Sequence, residues 1–239
     1  MGYIYGPVPS RRLGLSLGIS LTPHKTCNFD CVYCQLGRTS RTTVERKEYV
    51  KIQDVLQELA DWLKNNPQQA AQLKFVTLSG SGEPTLNTGA GEFIAWVKKN
   101  TALSVCVITN GASMVDPAVR QAILGADLVV PSLDAATEAA FKAVDRPHEG
   151  IKAEDVIAGL AEFRKAYRGQ IWLEIMLVKG INDDYGNIRK LVEAVGLIKP
   201  DKIQLNSPVR CTSEAGMEPV EEKRLQKIRE MFGERCEIV

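Results

Sequence analysis

Three cysteines stand close together near the start of the chain, in the segment KTCNFDCVYCQLGRTS (residues 25–40). Cys27, Cys31 and Cys34 have the spacing C-x3-C-x2-C, and no fourth cysteine lies nearby in the sequence. Short spacers bring three sulfurs close enough to share one [4Fe-4S] cluster, in which each thiolate binds one iron. The fourth iron would then lack a protein ligand, and an open coordination position is typical of a catalytic metal site.

Structural zinc is the alternative interpretation of this segment. His24 lies three residues before Cys27, so a site with three cysteines and one histidine can be drawn. Thiolate ligands select zinc as readily as iron-sulfur clusters. The cysteine spacing alone therefore leaves both a catalytic cluster and a zinc-stabilised binding module open.

A second segment that could form part of a binding site is TLSGSGEPTLN (residues 77–87). Glycines after a buried strand let a ligand approach the backbone, and Pro84 stiffens the turn that presents Glu83. An acidic side chain beside bare backbone groups suits an ammonium group on a small polar molecule. An ordinary strand-to-helix turn is the alternative.

The elements that must position these segments alternate regularly. Strand-like runs at 15–21, 73–79, 103–109, 126–134, 170–178 and 201–206 are separated by helical stripes at 50–66, 91–100, 117–124, 156–167, 188–198 and 225–232. Strands that alternate with amphipathic helices indicate right-handed βαβ units and a mainly parallel α/β sheet. Six units fit either an open doubly wound sheet or a partial barrel, and the terminal CEIV resembles the start of a further strand. In both folds the carboxyl ends of the strands carry the functional residues.

Composition restricts the class of protein. The 239 residues are 44% hydrophobic and 25% charged, which is ordinary for a globular protein, and we expect one domain over 1–239 with its cysteine loop at 23–40. The net charge of +1 predicts no global attraction to nucleic acid or lipid. No stretch approaches the roughly 18 apolar residues of a membrane span. Clustered cysteines without a secretory leader predict a cytoplasmic protein whose thiols bind metal rather than form disulfides.

The cysteine segment, with Tyr33 before its last cysteine, and the following SGEP resemble the radical S-adenosylmethionine (SAM) superfamily. The resemblance implies a partial (β/α)6 TIM-like barrel, a [4Fe-4S] cluster on Cys27, Cys31 and Cys34, and SAM chelated to the open iron. It also implies reductive cleavage of SAM to a 5'-deoxyadenosyl radical that takes hydrogen from a substrate, with the electron supplied by a donor such as flavodoxin or ferredoxin. The residues at 79–84 would contact the SAM amino group: Ser79, Gly80, Ser81, Gly82, Glu83 and Pro84.

A narrower resemblance concerns the substrate. GPVPSRRLGLSLGI, DCVYCQLGRT, VITNG and EIMLVKGIND are similar to radical enzymes related to wyosine-forming tRNA enzymes, which favours a tRNA nucleoside. The wyosine enzymes carry a second cysteine set, whereas Cys106, Cys211 and Cys236 are scattered here. A small metabolite or a protein side chain therefore remains an alternative substrate. Nothing in the sequence indicates the oligomeric state.

Polar residues at the ends of later strands complete the predicted cofactor site. Asn110 would position the methionine part of SAM, Ser132 and Asp134 the ribose, and Gln204 and Asn206 the adenine. A turn at Asn110 and a helix cap at Asp134 are the alternatives. Glu174 lies between apolar neighbours within a strand, so its carboxylate needs a partner, either the cofactor or an ion pair.

Several basic residues are candidates for substrate contact. Lys179 ends the fifth predicted strand, and Arg11 and Arg12 lie in PSRRLG. A phosphate-binding rim for tRNA would combine Arg11 and Arg12 with Arg38, Arg41, Arg46 and Lys47. A solvated charged face is the alternative.

Overall fold

The strands of this protein follow each other in space in the same order as in the chain. The computed structural model describes residues 2–10 and 12–239, so the predicted substrate residue Arg11 lies outside the described residues. Within these ranges, eight strands form one sheet in the order β1 to β8. They are β1 (Ile4–Ser10), β2 (Gly14–Ser20), β3 (Phe75–Ser79), β4 (Ser104–Thr109), β5 (Leu128–Pro131), β6 (Gln170–Met176), β7 (Lys202–Asn206) and β8 (Cys236–Ile238).

Helices connect the parallel strands. They are α1 (Ile52–Asn65), α2 (Pro67–Ala70), α3 (Ala90–Asn100), α4 (Pro117–Ile123), α5 (Glu138–Val144), α6 (Ala153–Ala166), α7 (Tyr185–Ile198) and α8 (Glu222–Phe232), with 3-10 turns at Pro84–Leu86 and Ala112–Val115. None of the helices in the described ranges is both long and apolar enough to cross a membrane.

The strand order decides between the two folds that the sequence left open. Every neighbouring pair from β2 to β8 is parallel, and each connection adds the next strand on the same side. A doubly wound sheet would reverse its direction of growth at a switch point. The steady order instead produces a sheet that curls, which is the predicted partial barrel.

The two faces of the sheet differ in polarity. The outer face is apolar and buried beneath the helices, with Val76, Val107 and Leu205 among its side chains. The inner face is smaller and more polar, and the hydroxyls of Ser16 and Thr77 lie 2.6 Å apart on it. Its amino-terminal part is filled by a second cluster that consists of Leu13, Cys106, Leu128 and Val130 with Phe75, Ile108 and Trp172 against it. Only the carboxyl end of the barrel is therefore left for polar chemistry.

The six predicted strands are confirmed as β2 to β7, and the strand suggested at CEIV is β8. The sequence interpretation missed β1, which is antiparallel to β2 and contains Pro7 and Pro9. Proline lacks the amide proton that a central strand needs, but an edge strand tolerates it. The short helix α5 was also missed.

Candidate active site at the cysteine loop

The cysteine loop (residues 23–40) follows β2 at the carboxyl end of the barrel and rests on the end of α5. The amide of Asp30 donates to the carbonyl of Asp145 at 3.0 Å, and the amide of Val32 donates to Val144 at 2.9 Å. The rings of Phe29 and Phe141 meet edge to face, with centroids 5.4 Å apart. Helix α5 therefore supports the loop.

Hydrogen bonds reach all three sulfurs. Lys25 Nζ donates to Cys34 Sγ at 3.2 Å, and the Phe29 amide and Asn110 Nδ2 donate to Cys27 Sγ at 3.4 and 3.5 Å. The Cys31 thiol donates to Asp145 Oδ1 at 3.4 Å. Donors to sulfur stabilise thiolate ligands and tune iron-sulfur clusters.

Burial controls the protonation of the metal-free loop. Desolvation, reinforced by the charge of Glu83, raises the pKa of Cys27 to about 12. Desolvation and the neighbouring Asp145 raise the pKa of Cys31 well above its ordinary value. These groups are therefore neutral thiols until a bound cation displaces their protons.

The donor set fits a cluster better than a single ion. Within residues 2–10 and 12–239, no three His, Cys, Asp or Glu side chains are arranged to hold one metal ion. Thiolates that each bind a different iron of one cluster do not need to converge on one point. His24, the fourth ligand of the zinc alternative, is exposed, and the buried Cys106 lies on β4 within the second apolar cluster.

The glycine loop (residues 79–84) is attached to the cysteine loop by its backbone. The amide of Glu83 donates to the carbonyl of Thr26 at 2.9 Å, and the amide of Lys25 donates to Ser81. A Cβ on Gly82 would lie 2.0 Å from that same Thr26 oxygen, so only glycine permits the contact. Gly80 has a φ of +101°, a conformation that favours glycine.

The Glu83 carboxylate accepts four hydrogen bonds from the chain. Oε1 accepts from the amide and the hydroxyl of Thr85 and from Thr109 Oγ1, and Oε2 accepts from the Asn110 amide at 2.8 Å. Desolvation raises its pKa in spite of these donors. Glu83 thus links the end of β3 to the end of β4 and to the start of the turn at Pro84. The SAM contact predicted for the glycine loop stays a prediction. Ser79, at the end of β3, bonds instead to the hydroxyl of Tyr5.

Asn110 joins the end of β4 to the cysteine loop. Its side-chain nitrogen, Nδ2, lies close to Cys27 Sγ and donates to Asn28 Oδ1. Its side-chain oxygen, Oδ1, accepts from the backbone amide of Ala112 at 3.0 Å. The Asn110 side chain therefore stabilises a turn, as the alternative interpretation predicted, and it also contacts Cys27, a predicted metal ligand.

Tyr33 and Asp134 are in direct contact. The Tyr33 hydroxyl donates to Asp134 Oδ2, and the Met176 amide donates to Oδ1 at 2.7 Å. Burial raises the pKa of Asp134 to about 6. Asp134 is thus buried beneath Tyr33 and joined to β6, and its contact with a ribose stays a prediction. The helix cap suggested for this segment exists at Thr137, whose side chain accepts from the Ala140 amide. Ser132 is half-buried at the end of β5.

A cavity of about 380 Å³ opens beside Cys34, and we call it the central cavity. Its wall contains an ion pair in which Arg12 Nη1 lies 2.6 Å from Glu174 Oε2, and Asn206 Nδ2 lies 3.3 Å from Glu174 Oε1. The ion-pair alternative for Glu174 is therefore the arrangement observed. The lining residues include Ser10, Arg12, Tyr33, Cys34, Gln35, Glu174, Met176, Asn206, Ser207, Arg210 and Thr212.

The lining of this cavity does not include the glycine loop, Asn110, Ser132 or Asp134, nor does it include Gln204 or Lys179. Gln204 is buried and donates to Glu237 Oε1 at 3.0 Å, while its own oxygen lacks a partner within the described part of the chain. Lys179 is exposed and pairs with Glu218 and Glu221 at 3.4 and 3.5 Å.

The basic rim for tRNA phosphates stays a prediction, and Arg12, one of its members, lines the central cavity. Most of its other members are neutralised by ion pairs. Arg38 pairs with Asp30 and Glu214, Arg46 with Asp116, and Lys47 with Glu45. The solvated charged face of the alternative interpretation describes these side chains better.

The loop between β7 and α8 (residues 207–221) contributes residues that sequence reasoning missed. Ser213 Oγ lies 2.8 and 2.9 Å from the carbonyls of Cys31 and Val32, and Arg210 lines the central cavity. Glu214 pairs with Arg146 at 2.6 Å. The one feature of the sequence that could have indicated these residues is that their loop follows the carboxyl end of a strand.

Comparison with known protein families accords with this geometry. Residues 21–192 match the Radical SAM superfamily. The chain is a member of the radical SAM superfamily. The superfamily consists of enzymes that use a [4Fe-4S] cluster and SAM, so the predicted superfamily, enzyme class and cofactors are confirmed. The ligand and contact residues within this chain stay predictions.

Two relatives of this radical SAM chain are similar along almost its whole length, and a third is similar along part of it. A protein named GTPase Obg from Brachyspira hyodysenteriae is 38% identical over 98% of this chain, which spans only 34% of that protein. A UPF0026 protein of Methanocaldococcus jannaschii is 34% identical over 98% of this chain and 72% of its own length. A probable GTP 3',8-cyclase of Saccharolobus islandicus is 31% identical over 57% of this chain and 42% of its own.

Solved structures confirm the fold of the radical SAM chain. A radical SAM methyltransferase from Sphaerobacter thermophilus superposes with a TM-score of 0.70 at 14% identity, covering 94% of this chain and 65% of its own. Archaeal TYW1, a wyosine-forming enzyme, superposes with a TM-score of 0.58 at 19% identity over 92% of this chain and 72% of its own.

Proposed function

We propose that this chain cleaves SAM reductively on a [4Fe-4S] cluster held by Cys27, Cys31 and Cys34 and thereby starts hydrogen abstraction from a substrate in the central cavity. The observation that carries the proposal is the position of the three thiols. They lie on one loop at the carboxyl end of a parallel barrel, and Cys34 lines a cavity of about 380 Å³. When bound, the two cofactors supply the one-electron chemistry.

The chain's own residues would prepare the site. Lys25 and Asn110 donate to the sulfurs of Cys34 and Cys27 and so would support these sulfurs as ligands of a bound cluster. Three cysteine ligands leave one iron for the amino and carboxylate groups of SAM. Backbone groups of the glycine loop and the half-buried Ser132 offer polar contacts to SAM at the adjacent strand ends.

The central cavity limits what the substrate can be. Its volume suits a single nucleoside or a metabolite, and its wall offers the Arg12–Glu174 pair and the Asn206 amide to polar groups. Ser213 ties the β7–α8 loop to the cysteine loop and so limits the access of water, which protects a radical reaction.

A tRNA nucleoside is the first substrate that we propose, and a small metabolite is the second. The narrow motif similarity and the fold shared with TYW1 support the first. The ion pairs that neutralise Arg38, Arg46 and Lys47 favour the second, because a tRNA backbone needs unpaired cations along its path.

Anaerobic reconstitution with iron and sulfide tests the proposed function. We expect about four irons per chain and, after reduction with dithionite, formation of 5'-deoxyadenosine from SAM. Cys31→Ala should abolish both signals, and Cys211→Ala, which removes an exposed cysteine, should preserve them. A fully loaded, reduced chain that leaves SAM intact would refute the proposal.

The same assay can separate the two substrate classes. Bulk tRNA and a protein-free metabolite extract are each added to the reduced enzyme, and the rate of 5'-deoxyadenosine formation is measured. Faster SAM cleavage with only one of the two mixtures identifies its class as the source of the substrate.

A further inference from the structure

Lys25 has a backbone conformation that lysine rarely adopts. Its φ is +58°, in the left-handed region that favours glycine. Within the described part of the chain, Arg146 and Lys199 are the other non-glycine residues with a positive φ. The Lys25 amide donates to the carbonyl of Ser81, which holds the backbone in this conformation. Residues held in such conformations cluster at functional sites, so the contacts of the Lys25 side chain are informative.

The Lys25 side chain ends at a predicted cluster ligand. Its Nζ donates to Cys34 Sγ at 3.2 Å. Lys25 forms no ion pair with a carboxylate of the described residues, so its positive charge is left to act on the cysteine loop. The side chain is half-buried, and its charge is therefore screened less by solvent and salt than the charge of an exposed lysine.

Apart from Lys25, the described side chains whose charges shift the pKa of Cys27 and Cys31 are carboxyl groups or thiols. Desolvation raises the pKa of both cysteines, and the carboxyl groups of Glu83 and Asp145 raise it further. Lys25 acts in the opposite direction and lowers the pKa of Cys27. Burial and carboxylates also oppose an added electron, because an electron, like the loss of a proton, makes the site more negative. Lys25 is the cation that favours the more negative site.

We propose that Lys25 is a positioning residue that acts through Cys34, and that its ammonium group makes a [4Fe-4S] cluster bound at the loop easier to reduce. This inference rests on the cluster-binding part of the proposed function. Hydrogen bonds to the sulfurs and local charge set the reduction potential of iron-sulfur clusters. A charge-assisted donor stabilises the more negative, reduced state most strongly. On reduction the cluster gains one electron from an external reductant, and no covalent bond of Lys25 changes.

A purely structural role for Lys25 predicts different results. If the lysine only held the cysteine loop in shape, its replacement would lower the iron content and leave the potential of any remaining cluster unchanged. If its charge acts on the cluster, its replacement shifts the potential while the iron content stays. Lys25→Gly separates the two roles, because it removes the charge and relieves the left-handed backbone in one change.

A mediated redox titration of the reconstituted chain, followed by the electron paramagnetic resonance of the reduced cluster, tests the proposal. Dithionite is the reductant, and SAM is left out. Lys25→Met and Lys25→Gly remove the charge, and Lys25→Arg keeps it. The matched control is Lys199→Gly, because Lys199 is exposed directly after α7 and has the same left-handed backbone, with a φ of +53°. Iron content and thermal unfolding are measured for every variant.

We expect about four irons per chain in all variants. In Lys25→Met and Lys25→Gly, the ratio of reduced to oxidised cluster at a fixed potential should fall about tenfold or more, and tenfold corresponds to about 59 mV for one electron. Lys25→Arg and Lys199→Gly should keep the ratio of the unmodified chain. Both glycine variants should unfold at the same temperature as the unmodified chain or above it, because glycine relieves the backbone strain.

Four results would overturn the proposal: an unchanged potential in Lys25→Met and Lys25→Gly, an equal shift in Lys199→Gly, equal shifts in Lys25→Met and Lys25→Arg, or a loss of iron from both uncharged Lys25 variants. The last result would leave Lys25 as a structural support of Cys34. Failure of the proposed function is distinguishable, because the potential is measured without SAM. A chain that binds and reduces its cluster but leaves SAM intact would refute the proposed function while the Lys25 result stands.

Discussion

Arg12 and Glu174 form an ion pair across 162 positions of the chain, with Arg12 Nη1 2.6 Å from Glu174 Oε2. The pair joins the turn between β1 and β2 to the middle of β6 and lies in the wall of the central cavity. Its side chains are only 25% and 13% exposed, so each charge depends on the other.

Removing one charge of this pair should cost more than removing both. Glu174→Gln should lower the free energy of unfolding by about 2 kcal/mol, because it leaves a half-buried guanidinium without its counter-ion. Arg12→Met should have a similar effect. Urea unfolding of both single variants and of the double variant measures the coupling. Simply additive losses would contradict this account.

Gly82→Ala should separate the glycine loop from the cysteine loop. The new Cβ would lie 2.0 Å from the Thr26 carbonyl oxygen, so the backbone must move. We expect a loss of about 1–3 kcal/mol in the free energy of unfolding and a lower iron content after reconstitution. Gly196→Ala is the control, because its Cβ meets no atom within 4 Å in α7, and it should be neutral or slightly stabilising. Equal stability of the two variants would contradict the proposed contact.

Asp134 should make stability depend on pH. Burial raises its pKa from 3.8 to about 6, so the folded chain keeps a proton that the unfolded chain has already lost. Its favourable contribution is therefore complete below about pH 4 and disappears as the pH rises through about 6. Asp134→Asn, which stays neutral, should gain stability relative to the unmodified chain over this interval.

Urea unfolding of the metal-free proteins at pH 4.5 and 7.5 measures the difference. Glu234→Gln, at an exposed position, is the control and should follow the unmodified chain. An Asp134→Asn variant with the same pH dependence as the unmodified chain would refute the assignment.

Ser213→Ala should loosen the β7–α8 loop. The hydroxyl lies within hydrogen-bond distance of the carbonyls of Cys31 and Val32 and therefore holds the loop against the cysteine loop. We expect a loss of about 1 kcal/mol in stability and faster loss of iron to a chelator. Ser104→Ala, at the amino end of β4, should leave the rate of iron loss unchanged. Identical rates in the two variants would show that the loop does not protect the site.

Much of the fold could be predicted because the relevant signals are local. The alternation of short apolar runs with helical stripes located β2 to β7 and most helices within a few residues. Two elements carried weak local signals: β1 contains two prolines, and α5 is a short helix close to a strand. The candidate site was predictable as far as it consists of one loop, which is why Cys27, Cys31 and Cys34 could be named together.

Contacts between individual side chains could not be predicted from these local patterns. The sequence left open whether Glu174 contacts a cofactor or forms an ion pair, and it did not indicate that Arg12 is the partner or that Tyr33 bonds to Asp134. Asp145 and Ser213 contact the cysteine loop without any motif that marks them. The contacts of Asp145 and Ser213 with Cys31 join residues more than 100 positions apart.

The sequence by itself determined the alternating elements and, through the cysteine segment together with SGEP, the superfamily, because periodicity and short spacing act within a few residues. The tertiary structure decided that the sheet curls instead of reversing, which charges neutralise each other, and that a cavity opens beside Cys34. The physical reason is that strand order and curvature bring distant side chains to one end of the barrel, and only their arrangement there decides which polar groups remain free for a ligand.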